Sequence, residues 1–293
     1  MGGISVNFFR LKEPQALQKV VIAVLEDKDF ALRVNTIARN TKNTWQLDRG
    51  EAEISRDTFQ GKLAEKVAET YLKKVRHLQY LSYDAFRNDA GKKHAPFDGL
   101  LYDSGSDLQG VIQLVLGEVQ LSSHGSISPE ARETIRRLGC RTVEIKSTQI
   151  DQKRKEQADF QTYDHSQDVI QLIEVISRED FLTYPHYCRS GEISNLHAYC
   201  QLVRERKPSF AGLSGKALRD AVIANEKRYQ CDLFIRVYTD EAQKHAFILG
   251  YITRDDFFGR DIQVKKMSRP NKSEKAVYFA KSLSFAEAIE HLK

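Results

Sequence analysis

The sequence predicts an α/β protein in which helices flank a mixed central β-sheet. Apolar residues at helical spacing mark the N-terminal part of the chain and several later segments. Runs of β-branched and aromatic residues fill much of the remainder and indicate strands. One of these runs, at 168–176, is almost continuously apolar, which is typical of a strand covered on both faces of its sheet. We therefore expect a covered sheet with helical additions near both ends of the chain.

The composition is that of an ordinary globular protein, with 41% hydrophobic and 29% charged residues in a chain of 293. The 45 Lys and Arg residues exceed the 40 Asp and Glu residues by five, a balance that permits a polyanionic partner without requiring one. No apolar run approaches the roughly 20 residues of a membrane-spanning helix, so no membrane is expected as a partner. The N-terminus lacks the pattern of a secretory leader, and four cysteines are too few for a disulfide framework. A cytoplasmic location is expected.

The N-terminal part of the chain is predicted to contain two helices. Apolar residues of the first helix recur at helical spacing and are Leu17, Val20, Val21, Val24 and Leu25. The polar segment 36–49 is predicted to be a loop. The second helix is expected over about 55–75, where an apolar stripe with four-residue steps consists of Phe59, Leu63, Val67 and Tyr71. Glu65 and Glu69 lie one turn apart on this helix.

The middle of the chain is predicted to consist mainly of strands. LQYLSY at 78–83 and PFDGLLYD at 96–103 have the composition of strands, and an insertion containing glycine and serine spans 104–126. A short helix follows, because Ser128 and Pro129 form a typical helix start and Gly139 a typical end. The run CRTVEIKST at 140–148 is then predicted to be a strand.

The last hundred residues alternate between helix and strand. A helix is predicted at 193–205, followed by strands at 231–240 and 245–253. The basic segment 260–275 leads to a final strand and a final helix.

Charged side chains in the middle of two apolar strands are the most informative feature for function. An unpaired charge there costs several kcal/mol, so Asp98, Glu144 and Lys146 require compensating partners. Glu144 and Lys146 point to the same face of their strand, because side chains alternate along a strand. If the strand of Asp98 lies beside it, two carboxylates and the carbonyl of Ile145 would suit Mg²⁺. Lys146 could then assist an attacking water or the charge on a phosphate, as in the hydrolysis of a phosphodiester.

The run PFDGLLYD followed by VEIKST resembles the PD-(D/E)XK nuclease superfamily, which has the restriction-endonuclease-like fold. Asp98, Glu144 and Lys146 match the residues of its motif, and GKLAEKVAE resembles its first core helix with an accessory glutamate. Glu65 is the preferred accessory acid and Glu69 the alternative. The overall arrangement is most similar to Type II restriction endonucleases.

This resemblance implies a homodimer that cleaves double-stranded DNA with Mg²⁺, or with Mn²⁺ as a substitute, and leaves a 5′-phosphate and a 3′-hydroxyl. It also implies an N-terminal helical extension over 1–54 and a catalytic domain over 55–293 whose C-terminal additions contact DNA. The sequence departs from the family pattern in two ways. Phe97 separates Pro96 from Asp98, and the 46 positions between Asp98 and Glu144 require an insertion.

Other features leave alternatives open. Glu118 and Gln120 form a variant motif with glutamine in place of lysine, ranked below VEIKST. Two groups of basic residues are candidates for contacts with nucleic acid: Lys153, Arg154 and Lys155, and then Lys265, Lys266, Arg269 and Lys272. The alternative functions are a repair or recombination nuclease that recognises DNA structure, and a non-catalytic DNA-binding protein of the same fold.

Overall fold

The structure is a computed structural model that describes residues 14–45, 50–89, 91–150, 156, 181–188, 196–242, 244–258, 263–267 and 275–282. The described residues form two compact units. The first unit combines the described part of Met1–Ile176 with Cys231–Ile252, and the second combines the described parts of Ser177–Gln230 and Thr253–Ser284. The predicted strand at 168–176 and the predicted final helix lie outside the described residues.

The helices and strands are numbered separately in chain order. The helices are α1 (Pro14–Glu26), α2 (Lys28–Trp45), α3 (Glu51–Thr70), α4 (Leu108–Leu121), α5 (Pro129–Arg137), α6 (Leu196–Arg206), α7 (Gly215–Arg228) and α8 (Arg254–Phe257). The strands are β1 (Gln79–Ser82), β2 (Gly99–Tyr102), β3 (Arg141–Gln149), β4 (Phe181–Cys188), β5 (Leu233–Asp240), β6 (His245–Thr253), β7 (Gln263–Met267) and β8 (Lys275–Ser282). A π-helical turn, Tyr71–Val75, continues α3.

The first unit contains a mixed five-stranded sheet with the strand order β1-β2-β3-β5-β6. Strand β2 is antiparallel to both β1 and β3, whereas β3 and β5 are parallel. The mixed α/β class predicted from the sequence is therefore confirmed. In the register, Gly99 lies opposite Val143, and Lys146 lies opposite Arg236.

Helices cover both faces of this sheet. On one face, α1 and α3 pack on Val143 and Ile145 of β3 and on neighbouring residues of β5 and β6. On the other face, α4 and α5 pack on Leu100 and Cys231. Alternation along β3 thus directs Val143 and Ile145 to α3, and Glu144 and Lys146 to the opposite face.

Helix α2 corrects the prediction of a loop at 36–49, because the helix continues to Trp45. A carboxylate oxygen of Asp27 accepts a hydrogen bond from the Phe30 N–H at 2.9 Å at the helix start. Phe30, Val34 and Ala38 are buried at four-residue steps, whereas most of the other side chains are exposed. Burial of this narrow apolar stripe therefore stabilises a helix whose composition is mainly polar.

Helix α4 was not predicted, and it occupies most of the insertion assigned to 104–126. The Asp107 side chain caps the helix by accepting a hydrogen bond from the Gly110 N–H at 2.9 Å. Val111, Val115 and Val119 are buried at four-residue steps and belong to the core under α5. The insertion therefore contributes a helix to the covered face of the sheet.

The second unit contains a three-stranded sheet in the order β4-β8-β7, with β8 antiparallel to both neighbours. Helices α6 and α7 belong to this unit, and their buried residues include Tyr199 and Val222. The helix predicted at 193–205 is confirmed as α6. The basic segment 260–275 contains a strand, β7, which was not predicted. None of the helices in the described part of the chain has the length and apolar character needed to cross a membrane.

Candidate active site

Asp98 lies immediately before β2, and hydrogen bonds of its backbone N–H and C=O groups hold it in place. Its N–H donates to the carbonyl of Val143 at 2.9 Å, and its carbonyl accepts from the N–H of Tyr83 at 2.9 Å. Its carboxylate oxygen Oδ2 accepts a hydrogen bond from the N–H of Ile145 at 2.5 Å. The predicted adjacency of the Asp98 and Glu144 strands is therefore present, and the Asp98 side chain is fastened to the backbone between Glu144 and Lys146.

Glu144 and Lys146 form an ion pair with each other on the half-buried part of β3. Lys146 Nζ contacts Glu144 Oε1. The other oxygen of Glu144, Oε2, lies 3.8 Å from the sulfur of Cys231, which precedes β5. Each oxygen of the Glu144 carboxylate thus has a neighbour that limits its orientation.

Glu65 lies on α3, on the face of the sheet that Val143 and Ile145 line, and its charge acts on Asp98 and Glu144. Lys62 Nζ lies 2.8 Å from Glu65 Oε2 and 2.8 Å from Asp84 Oδ2, so one ammonium group is shared by two carboxylates. Glu69, one turn further along, instead pairs with Lys66 and Lys73.

The pKa values of Asp98, Glu65 and Lys146 reflect burial together with an excess of negative charge. Burial, with the nearby charges of Glu144 and Glu65, raises the pKa of Asp98 well above its usual range. Burial likewise raises the pKa of Glu65 to about 7, despite the opposing charge of Lys62. Burial alone would lower the pKa of Lys146, but Glu144 and Asp98 outweigh it and raise that pKa. An additional cation would relieve the repulsion among these carboxylates.

The predicted ligands of a cation lie along one edge of β3. In an antiparallel strand the N–H and C=O of a residue point to the same edge, so the carbonyl of Ile145 faces the Asp98 side, as its N–H does. Asp98, Glu144 and this carbonyl are oxygen donors of the kind that Mg²⁺ prefers. Within the described residues, no group of three or more His, Cys, Asp or Glu side chains is arranged to hold a metal ion. The donors therefore fit Mg²⁺ only as two carboxylates completed by a backbone carbonyl and water.

Arg132 and Cys231 support the cluster and were not predicted from the sequence. The buried Arg132 on α5 donates to the carbonyl of Pro96 at 3.0 Å and lies 3.6 Å from the sulfur of Cys231. Arg132 thus connects Pro96, which precedes Asp98, to Cys231, which lies beside Glu144. The available signal was the position of Arg132 beside Ala131 on the apolar stripe of α5.

Other predicted residues fall elsewhere. Glu118 and Gln120 lie on α4 rather than on a strand, and Glu118 Oε2 accepts a hydrogen bond from the Ser128 N–H at 2.8 Å. The variant motif is therefore wrong as a pair of strand residues, and Glu118 supports the start of α5. Lys265 and Lys266 lie on β7 in the second unit. The five other predicted contacts with nucleic acid lie outside the described residues and are Lys153, Arg154, Lys155, Arg269 and Lys272.

The fold and the cluster together define a mixed α/β protein with a carboxylate–lysine cluster where two neighbouring strands lie side by side. Comparison with protein-family models, with curated proteins and with solved structures finds no match.

Proposed function

We propose that this protein is a Mg²⁺-dependent endonuclease that hydrolyses phosphodiester bonds in double-stranded DNA. The observation that carries the proposal is the hydrogen bond from the Ile145 N–H to Asp98, which brings the Asp98 carboxylate to the strand of Glu144 and Lys146. Asp98 lies 46 positions before Glu144 in the sequence. Their meeting, with Glu65 electrostatically coupled to them, is what the resemblance to the PD-(D/E)XK superfamily implies for an active site.

Asp98, Glu144 and the Ile145 carbonyl would hold Mg²⁺, and Mn²⁺ could replace it. When bound, such an ion supplies a Lewis acid and lowers the pKa of a coordinated water. The carboxylates would gain a counter-charge in this arrangement, which would lower the raised pKa of Asp98 and favour its ionised form.

In this proposal Lys146 acts as a hydrogen-bond donor and as a positive charge. Because Glu144 and Asp98 raise its pKa, Lys146 remains protonated at neutral pH and is unsuited to act as a general base. Its ammonium group can orient a water or stabilise charge on a phosphate. Glu65, whose pKa is about 7, is poised to accept or release a proton near neutral pH.

The finer assignment, a homodimeric Type II restriction enzyme, rests on the resemblance in sequence. Two-fold symmetry would supply two active sites for a symmetric site in DNA. The two predicted groups of basic residues, one at 153–155 and one between Lys265 and Lys272, would contact phosphates. The division into an extension over 1–54 and a domain over 55–293 and the cytoplasmic location stay predictions.

The direct ion pair between Glu144 and Lys146 favours one alternative, a non-catalytic DNA-binding protein of the same fold. In such a protein the ion pair would be structural and Mg²⁺ would change nothing. Cleavage of branched or nicked DNA without a fixed sequence would instead favour the repair-type nuclease.

The test is incubation of the purified full chain with plasmid and phage DNA, with Mg²⁺ or with chelator, followed by electrophoresis. Discrete bands that require Mg²⁺ are expected from the wild type. Glu65→Gln and Glu69→Gln form a matched pair, because the two acids lie one turn apart, Glu65 helps to raise the pKa of Asp98, and Glu69 instead pairs with Lys66 and Lys73. Loss of cleavage in the first variant alone supports the proposal. Intact DNA on unmethylated, methylated and branched substrates, with folding and DNA binding retained, would reject it.

A further inference from the structure

A small polar pocket lies in the first unit, next to the cluster but separate from its carboxylates. It has a volume of about 340 Å³ and lies between α3 and the C-terminal part of β3. The side of α3 contributes Arg56, Asp57 and Gln60, and the strands contribute Ser147, Thr148, Gln149 and Arg236. Every residue of this lining is polar or charged, in contrast to the apolar lining that is usual for pockets for organic ligands.

The charge of the pocket favours an anion. The lining contains two arginines, Arg56 and Arg236, and one carboxylate, that of Asp57, so positive charge is in excess. A guanidinium group presents a planar fork of N–H donors that matches the oxygens of a phosphate. The hydroxyl group of Ser147 and the amide group of Gln60 can donate further hydrogen bonds.

The two arginines differ in their surroundings. Arg236 is 8% exposed, opposite Lys146 in the sheet register, so its charge is held in the sheet beside the candidate active site. Arg56 and Asp57 are exposed, so the pocket can be reached from solvent. Along β3, Thr148 follows Lys146 by two residues, which is about 6.6 Å of strand.

We infer that this pocket binds a phosphate group. The identity of this phosphate rests on the nuclease proposed above: in that nuclease, the bound group is a backbone phosphate of the DNA strand close to the cleaved linkage. Arg56 and Arg236 neutralise the phosphate, and the segment 147–149 fixes its position. The pocket then sets the register of the strand at the active site, because contacts to phosphates position a nucleic acid without reading its sequence.

The first experiment uses inorganic phosphate as the probe. Amide NMR spectra of the isotope-labelled full chain are recorded during titration with phosphate at constant ionic strength. Saturable shifts are expected at Ser147, Thr148 and Gln149. Arg56→Gln should abolish these shifts, Arg56→Lys should retain part of them, and Arg141→Gln should leave them unchanged. Arg141 is a matched control, because it is an exposed arginine at the opposite end of the same strand.

The second experiment measures the affinity of the same variants for a DNA duplex in chelator, as a function of salt. Loss of one phosphate contact reduces the slope of log affinity against log salt by about 0.9, which is expected for Arg56→Gln and not for Arg141→Gln. Phosphate shifts that are absent, or that Arg141→Gln also removes, overturn the inference while Mg²⁺-dependent cleavage would still support the nuclease. Phosphate shifts at 147–149 with no binding of DNA identify a site for free phosphate and reject DNA as its source.

Discussion

The carboxylate of Asp98 accepts a hydrogen bond from the backbone N–H of Ile145 at 2.5 Å, and Ile145 lies between Glu144 and Lys146. This contact ties a side chain at the start of β2 to the middle of β3. It places one carboxylate oxygen, Oδ2, against the backbone and leaves Oδ1 as the oxygen not used by this bond. A cation held by Asp98 would therefore bind at a carboxylate whose orientation is already fixed, which reduces the ordering that binding requires.

Asp98→Asn is expected to abolish cleavage while preserving the fold. The amide oxygen of asparagine can still accept the hydrogen bond from Ile145, but the negative charge that would hold the proposed cation is lost. We expect the cleavage rate to fall by about 100-fold or more, with a small change in melting temperature. Single-turnover cleavage and thermal denaturation measure the two quantities. An unfolded Asp98→Asn variant would show that this carboxylate is structural, and full activity would remove it from the site.

Mg²⁺ is expected to stabilise the wild type against thermal unfolding and to have little effect on Asp98→Asn. A ligand that binds only the folded state stabilises it by RT ln(1 + [L]/Kd), about 1.4 kcal/mol at a concentration ten times the dissociation constant. Differential scanning fluorimetry with Mg²⁺ and with choline chloride at matched ionic strength separates specific binding from screening. Equal stabilisation of both proteins by Mg²⁺ would contradict a site at Asp98. This measurement requires no DNA and is independent of cleavage.

The sequence pointed to this cluster because its members are charged residues at positions where apolar residues are expected. Asp98, Glu144 and Lys146 are charged residues in apolar strands, and alternation along β3 was enough to place Glu144 and Lys146 on one face. The contact between Arg132 and Cys231 could not be predicted, because these residues are 99 positions apart and neither belongs to a strand. Their proximity depends on how α5 packs against the sheet.

Two of the helices that the sequence analysis missed, α2 and α4, had weak local signals for different reasons. Helix α2 has a buried stripe only one residue wide, and Asn and Thr residues dominate its second half. Helix α4 contains Gly110 and Gly117, each of which disfavours a helix by about 1 kcal/mol relative to alanine. In both cases packing against neighbouring elements supplies the stability that local preference does not.

Glu65 and Glu69 are expected to give opposite dependences of stability on pH. The pKa of Glu65 is raised from 4.5 to about 7, mainly by burial, so the folded state holds its proton more tightly than the unfolded state. Its contribution to stability is full below about pH 4.5 and is lost as the pH rises to 7. Glu65→Gln should therefore become more stable relative to the wild type between pH 5 and pH 8, by about 1–3 kcal/mol.

For Glu69, burial would raise the pKa, but Lys73 and Lys66 outweigh it and lower the pKa. Its contribution is present above the unfolded pKa and lost as the pH falls through the folded pKa, so Glu69→Gln should lose stability relative to the wild type as the pH rises from acid to neutral. Urea unfolding of the three proteins across this pH range measures both differences. Parallel curves for the two variants would contradict the assigned surroundings of Glu65.

Arg132→Met is expected to destabilise the protein and to slow cleavage. Methionine fills a similar volume but leaves the Pro96 carbonyl without the hydrogen bond that Arg132 donates at 3.0 Å, a loss of about 1–3 kcal/mol. The segment from Pro96 to Asp98 then becomes less constrained, and kcat should fall more than KM rises. Arg137→Met is the matched control, because Arg137 is an exposed arginine on the same helix. Urea unfolding and steady-state cleavage of both variants test the prediction. Equal effects of the two substitutions would show that the contact between Arg132 and Pro96 has no particular role in holding Asp98.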